Sequence, residues 1–99
     1  MIIIAGTVQV RPEKRDEAVA AARRMAIATR QEPGCISYGF YADLADPHTI
    51  LLFEQWADEE ALAAHFQTPH MAEFNQITPQ VVAAAPEIKR YDVASVTSV

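Results

Sequence analysis

The stretch Thr49–Trp56, TILLFEQW, is the most apolar segment of the chain and has the length of a β-strand. Its run of consecutive apolar residues predicts a central strand that is covered on both faces. The polar segment Asp43–His48 precedes it and contains a proline, which suits a hairpin loop. Cys35–Tyr41 comes before that loop and alternates apolar with small residues, so it is predicted to be the partner strand.

Two helical segments are predicted after this hairpin. Asp58 suits the N-cap of a helix that continues through His65 and Phe66. Two glutamates in its first turn bring negative charge to the helix N-terminus, which stabilises the helix. Thr68 and Pro69 then suit the N-cap and the first position of a further helical segment. One face of that segment is expected to carry Met71, Phe74, Ile77 and Thr78.

The chain before the hairpin predicts a strand and a long helix. Ile2–Val10 is rich in β-branched residues and reads as the first strand. Pro12 is expected to begin an amphipathic helix of about five turns, and Pro33 and Gly34 are expected to stop it. Its apolar stripe consists of Ala18, Val19, Ala22, Met25, Ala26 and Thr29. The arginines are expected to lie mostly on the outer side of this helix.

A last strand is predicted at about Ile88–Val96, with Pro79 and Pro86 interrupting the chain before it. The order is then βαββαβ, an α+β ferredoxin-like fold whose antiparallel sheet carries its helices on one face. A chain of 99 residues is expected to form one domain, residues 1–99. Because no helix remains to cover the other apolar sheet face, a sheet-to-sheet homodimer is predicted.

Composition excludes several classes of partner. The net charge of −5, from 13 acidic and 8 basic residues, and the lack of a basic stripe argue against nucleic acid and membrane surfaces. Met1–Ala5 is too short for the apolar part of a signal peptide, and no segment could span a membrane, so a cytoplasmic protein is expected. Cys35 is the only cysteine and is interpreted as a small buried residue, not a nucleophile.

Four strings in register carry a family resemblance. They are Glu32–Cys35 (EPGC) followed by Tyr38, Phe53–Trp56 (FEQW), Ala61–His65 (ALAAH) and Gln67–Met71 (QTPHM). Together they resemble the antibiotic biosynthesis monooxygenase family, with a match along nearly the whole chain. The second and the last strings look especially like the bacterial quinol monooxygenases of that family.

The resemblance implies a dimeric α+β barrel with one ligand pocket per subunit, between the sheet and the helices. Several members oxidise phenols or quinols with molecular oxygen and use no metal, flavin or haem. The expected partners are therefore a small aromatic substrate and oxygen, with no cofactor. Other members act on haem or isomerise small phosphorylated signalling sugars of the autoinducer-2 type.

Cofactor-free oxygenation needs a base close to neutral pKa, a dry pocket and a donor that positions an oxygen. His65 is the predicted base because it shares a helix face with Leu62 and points toward the sheet. His70, in the first turn of the next helix, is a supporting proton acceptor. The hydroxyl of Tyr38, midway along the second strand, is expected to orient the substrate oxygen. Each of these residues also has a purely structural interpretation.

The predicted substrate-contacting residues are aromatic or otherwise apolar, with one exception. Glu54 is the exception, because a carboxylate in so apolar a strand needs a partner. The candidate partners are Tyr38, a histidine and a backbone amide, and the alternative is a side chain that projects to an exposed edge. A structural hydrogen bond is favoured over direct catalysis. Ordinary core packing is the competing interpretation for the others. The set consists of Trp56, Glu54, Met71, Phe74 and Phe40.

No metal site is predicted, because His65 and His70 are not a helical i,i+4 pair and no histidine–glutamate cluster is recognisable. Haem degradation is disfavoured, since this chain lacks the asparagine, tryptophan and histidine that the haem-degrading branch carries. A sugar-phosphate isomerase should have basic pocket residues, whereas the predicted pocket is apolar. A non-catalytic ligand-binding dimer stays open, since the fold alone does not imply catalysis. A pocket beside His65 would favour the enzyme, and a filled core there would favour the binding module.

Overall fold

The computed structural model describes residues 1–99 and has the predicted α+β ferredoxin-like fold. A four-stranded antiparallel sheet has the order β2-β3-β1-β4, with the helices packed on one face. A 3-10 turn, Pro12–Lys14, leads into α1. The elements are β1 (Ile2–Gln9), α1 (Arg15–Thr29), β2 (Cys35–Ala42), β3 (Thr49–Trp56), α2 (Glu59–His65), α3 (Pro69–Val81) and β4 (Glu87–Asp92). No helix combines the length and the apolar character needed to cross a membrane.

Local signals placed the starts of α2 and α3 correctly, whereas α1 begins at Arg15 and not at Pro12 as predicted. The carboxylate of Asp58 accepts the amide of Ala61 at 2.9 Å, and the hydroxyl of Thr68 accepts the amide of Met71 at 3.3 Å. Both side chains therefore satisfy amides that the first helical turn leaves without a partner. Pro69 occupies the start of α3, as predicted.

Two predicted boundaries near the C-terminus were wrong. Pro79 lies inside α3 and does not end it, and β4 stops at Asp92, short of Val96. A proline at position 79 removes the amide that would bond the carbonyl of Asn75. Asn75 is exposed, so solvent can supply the missing donor at this end of the helix.

The turn between α1 and β2 depends on Gly34. Its φ of 80° is the only positive φ in the chain, and a Cβ there would lie 2.5 Å from the Cβ of Ala61. The carbonyl of Gly34 accepts the amide of Ala57 at 2.9 Å, which ties the turn to the end of β3. This turn therefore brings Glu32 close to α2.

The two faces of the sheet differ. On the helix face, Leu52 and Trp56 of β3 are buried, and Ile2 of β1 pairs in register with Trp56. On the other face, Leu51 is 40% exposed and Tyr41 is 54% exposed. Within one chain, β3 is thus covered on one face, not on both as predicted.

The core consists of two clusters of buried side chains between the helices and the sheet. We call the first the packed end: Ile2, Met25, Ala26, Tyr38, Leu52, Trp56 and Leu62. We call the second the cavity end: Val10, Ala18 and Val81. The functional candidates are distributed between these two ends.

Candidate functional site

Two histidines converge on one carboxylate oxygen. Nδ1 of His65 lies 2.9 Å and Nε2 of His70 lies 2.7 Å from Oε2 of Glu32. The end of α2, the start of α3 and the turn after α1 each supply one of these residues. An ionised carboxylate only accepts hydrogen bonds, so each of these ring nitrogens donates its N–H. We call this set the histidine–glutamate cluster.

The cluster is largely shielded from solvent. The side chain of His65 is 1% exposed, that of Glu32 is 11% exposed and that of His70 is 25% exposed. Hydrogen bonds to a shielded carboxylate are strong and fix the orientation of the ring. With Nδ1 of His65 donating, its Nε2 is the nitrogen left to accept a proton. Glu32 therefore suits His65 to act as a base.

The rings of Tyr38 and Trp56 flank His65, with centroids 5.7 Å and 4.7 Å from the imidazole. Trp56 is completely buried, so its ring belongs to the core. Burial, followed by the charges of Glu54 and Glu32, raises the pKa of Tyr38 well above its ordinary value. Tyr38 is therefore suited to donate a hydrogen bond and unsuited to act as a base.

Glu54 has the structural hydrogen bond predicted for it. Its Oε1 accepts Nε1–H of Trp56 at 2.8 Å, so the donor is neither Tyr38, a histidine nor a backbone amide. Burial raises the pKa of Glu54 to about 7, the bond from Trp56 opposes this shift and the charge of Glu32 adds to it. Burial, with the charges of Glu32 and Glu54, also raises the pKa of the Cys35 thiol, which agrees with an unreactive cysteine.

The main cavity lies between α1, α3 and the sheet. All three residues of the cavity end line it, and so do Ala26 and Leu52 of the packed end. The cavity has a volume of about 380 Å³, and 18 of its 23 lining residues are hydrophobic. Phe40 and Phe74 line it, with ring centroids 5.7 Å apart. The remaining predicted site residues lie outside its lining: His65, His70, Tyr38, Trp56, Glu54 and Met71.

A short aromatic path connects the cavity to the histidine–glutamate cluster. The ring of Phe40 in the cavity wall lies 5.6 Å from that of Tyr38, and Tyr38 lies 5.7 Å from His65. His65 itself is packed among side chains at the packed end. The predicted base and the ligand-sized space are thus neighbours separated by Tyr38.

Three arginines contribute to the lining of the cavity, which was not predicted from the sequence: Arg15, Arg23 and Arg30. Arg23 and Arg30 are nevertheless exposed, as expected for the outer side of α1, and Arg15 is partly buried. Arg24 also faces outward, 3.9 Å from Glu73. Long side chains can lie along an apolar surface while their charged heads stay near solvent, and helical periodicity does not resolve this.

Glu32 is the residue whose role the sequence analysis missed. It stands in the family string before Pro33 and Gly34, but nothing local marks a turn glutamate as a partner of histidines. The prediction that no histidine–glutamate cluster forms was wrong. The cluster was not recognisable in the sequence because Glu32 precedes His65 by 33 residues. The ligand atoms of the cluster lie within 4.8 Å of one another and could hold a metal ion. The carboxylate of Glu32 also accepts a hydrogen bond from each imidazole, so the cluster is bonded without a metal ion.

Comparison with known proteins agrees with this architecture. The profile of the family described as antibiotic biosynthesis monooxygenase matches residues 1–77. The chain belongs to this family. An uncharacterised protein of Synechocystis sp. is 42% identical over 93 residues, which cover 94% of this chain. The matched region spans 63% of the length of that relative.

Two solved structures share the fold. A conserved protein from Methanosarcina mazei is 31% identical with a TM-score of 0.86, covering 91% of this chain and 89% of that one. A crystal structure described as an antibiotic biosynthesis monooxygenase is 25% identical with a TM-score of 0.87, covering 96% and 100%. The resemblance found in the sequence is therefore confirmed at the level of family and fold.

Proposed function

We propose that this member of the antibiotic biosynthesis monooxygenase family is a cofactor-independent monooxygenase that oxidises a small aromatic quinol or phenol with molecular oxygen. The observation that carries the proposal is the pairing of Glu32 with His65, which orients a base behind Tyr38, next to an apolar cavity lined by Phe40 and Phe74. Such a cavity suits an aromatic ring.

The proposed reaction begins when the hydroxyl of Tyr38 takes the phenolic proton of the substrate and passes its own proton to His65. The anion gives one electron to oxygen, and the two radicals combine into a peroxide anion on the ring. This anion takes the proton back from the His65 imidazolium and becomes a hydroperoxide. Loss of water from the hydroperoxide leaves a ring oxidised by one added oxygen atom, so the second oxygen atom leaves in the water. Glu32 stabilises the imidazolium that forms, as an orienting carboxylate does for a histidine base.

The test is oxygen uptake by the metal-stripped protein with a panel of quinols, corrected for autoxidation. We expect His65→Gln to lower the protein-dependent rate by roughly 100-fold or more, since general bases contribute on that order. Glu32→Gln should lower it by roughly 10-fold, because the imidazole keeps its place but loses its charged partner. His48→Ala, in the β2–β3 loop, is the matched histidine control and should leave the rate unchanged.

If His65→Gln retained the protein-dependent oxygen uptake, His65 would not be the base, but the proposed enzyme class would stand. Protein that consumes no oxygen with any quinol would contradict the proposed activity. Activity that returns only when a divalent metal is added would instead assign the histidine–glutamate cluster to metal binding.

Two other functions each have one observation in their favour. Arg15, Arg23 and Arg30 in the cavity favour an isomerase of a phosphorylated sugar, although the mostly hydrophobic lining suits a sugar poorly. The filled surroundings of His65, whose side chain is 1% exposed, favour a non-catalytic ligand-binding dimer. Ligand binding without any turnover would select the second of these.

We also propose that two copies pack through the open sheet face. On that face, Leu51 is 40% exposed, Tyr41 is 54% exposed and Tyr91 is 50% exposed. Exposed apolar side chains that form one patch often mark a protein–protein interface. Leu51→Glu should convert a dimer into a monomer in light scattering after gel filtration. A wild-type monomer would contradict the predicted homodimer.

A further inference from the structure

The three arginines of the cavity have no acidic partner. No carboxylate lies within 4.0 Å of the guanidinium group of Arg15, Arg23 or Arg30, whereas Arg24, on the same helix, lies 3.9 Å from Glu73. The chain has more acidic than basic residues, 13 against 8, so acidic partners are not scarce. None of the residues that line the cavity is an aspartate or a glutamate. The cavity is thus a positive region in a negatively charged protein.

Two of these guanidinium groups are held in position by the backbone. Nε of Arg30 donates to the carbonyl of Tyr38 at 2.8 Å, and Nε of Arg15 donates to the carbonyl of Pro47 at 2.8 Å. Both bonds use Nε and leave the terminal nitrogens without a hydrogen bond to the protein. A guanidinium that is already positioned loses little conformational freedom when two of its N–H groups bind a carboxylate.

The positions along α1 indicate which arginines can act together. Arg23 and Arg30 are seven residues apart, about 10 Å along the helix, and lie close to the same side of it. Arg15 lies about 12 Å further toward the start of the helix. One small anionic group can therefore contact Arg30 with Arg23 nearby, while Arg15 serves the other part of the cavity.

We propose that the ligand of this cavity is a small aromatic molecule that carries one anionic group, such as a carboxylate. Its ring packs against Phe40 and Phe74, and its anionic group binds Arg30 with support from Arg23. The inference rests on the proposed function in placing the substrate in this cavity, and it narrows the substrate class to acidic quinols or phenols. A ligand of this kind accounts for both the apolar wall and the arginines that lack acidic partners.

The experiment is a titration by isothermal calorimetry with two matched probes, 3-hydroxy-2-naphthoate and 2-naphthol. They share the ring system and the hydroxyl group and differ by one carboxylate. We expect the carboxylate probe to bind roughly 10-fold or more tightly at low salt, with the difference shrinking as ionic strength rises. Arg30→Ala and Arg23→Ala should each remove most of that difference.

Arg24→Ala is the control, because it removes the same charge from the same helix but not from the cavity. It should preserve the preference for the carboxylate. Arg30→Lys should give an intermediate value, since it keeps the charge and loses the paired donors. Circular dichroism checks that each variant is folded.

Equal binding of the two probes, or binding of neither, would overturn the inference. So would an equal loss of preference in Arg24→Ala and Arg30→Ala. The measurement needs no turnover, so it stays informative if oxygen uptake fails. Conversely, uptake with neutral quinols together with equal probe binding would retain the proposed function and reject the acidic substrate class.

Discussion

The packed end and the cavity end differ in how completely side chains fill the space between the helices and the sheet. At the packed end, Trp56 is 0% and His65 is 1% exposed, and the polar groups of Glu54 and Glu32 have partners within the chain. At the cavity end, about 380 Å³ stays unfilled and three arginines lack acidic partners. A protein stabilised only by its core would fill that space. In the proposed function, the packed end provides stability and holds the base, while the cavity receives the ligand.

The largest expected effect tests the packed end. Trp56→Ala should lower the free energy of unfolding by about 3–5 kcal/mol, since it leaves a large cavity and removes the donor to Glu54. Ile77→Ala at the cavity end should cost less, about 1–2 kcal/mol, because this half-buried side chain already borders open space. Urea denaturation measures both. Equal losses would mean that the two ends are packed alike.

A second prediction concerns the buried carboxylate at the packed end. Burial raises the pKa of Glu54 from 4.5 to about 7 in the folded protein. The folded state therefore binds a proton between these pH values that the unfolded state has lost, so stability falls as pH rises. Its contribution is complete below pH 4.5 and is lost as pH rises through 7, with a decrease of at most about 3 kcal/mol.

Urea denaturation between pH 5 and pH 8 checks this dependence, and Glu54→Gln is the matched variant because it does not titrate. The difference in unfolding free energy between wild type and Glu54→Gln should change steadily across this range. A difference that stays constant with pH would show that Glu54 has an ordinary pKa in the folded protein.

The smallest expected effect on stability tests the cavity end. Ala22→Leu in α1 places a larger apolar side chain in the cavity, so the free energy of unfolding should change by less than about 1 kcal/mol. Binding of 3-hydroxy-2-naphthoate should weaken by roughly 10-fold or more, because the leucine occupies the space of the ring. Calorimetry and urea denaturation measure the two effects.

Ala61→Leu is the comparison at the packed end, where Ala61 lies against Gly34. Overpacking there should cost about 1–3 kcal/mol. If Ala22→Leu destabilised the protein as much as Ala61→Leu, the cavity would not be open space that a ligand can fill.

Sequence patterns correctly predicted the features that depend on residues close together in the chain. The bounds of β3 matched the apolar run Thr49–Trp56, and the caps at Asp58 and Thr68 were correct because a side chain bonds an amide a few residues away. Glu54 was predicted to need a partner from its apolar strand alone. Pro79 was misread, because an exposed helix end tolerates a proline that a buried helix interior would not.

The sequence by itself determined the order of strands and helices, the starts of α2 and α3 and the family, because hydrophobic period, capping and short motifs are local. Only the tertiary structure decided that Glu32 meets His65 and His70, and that Arg30 and Arg23 face a cavity. The physical reason is distance along the chain. The meeting of side chains more than thirty residues apart depends on how a glycine turn and three helices pack on the sheet, which no local periodicity specifies.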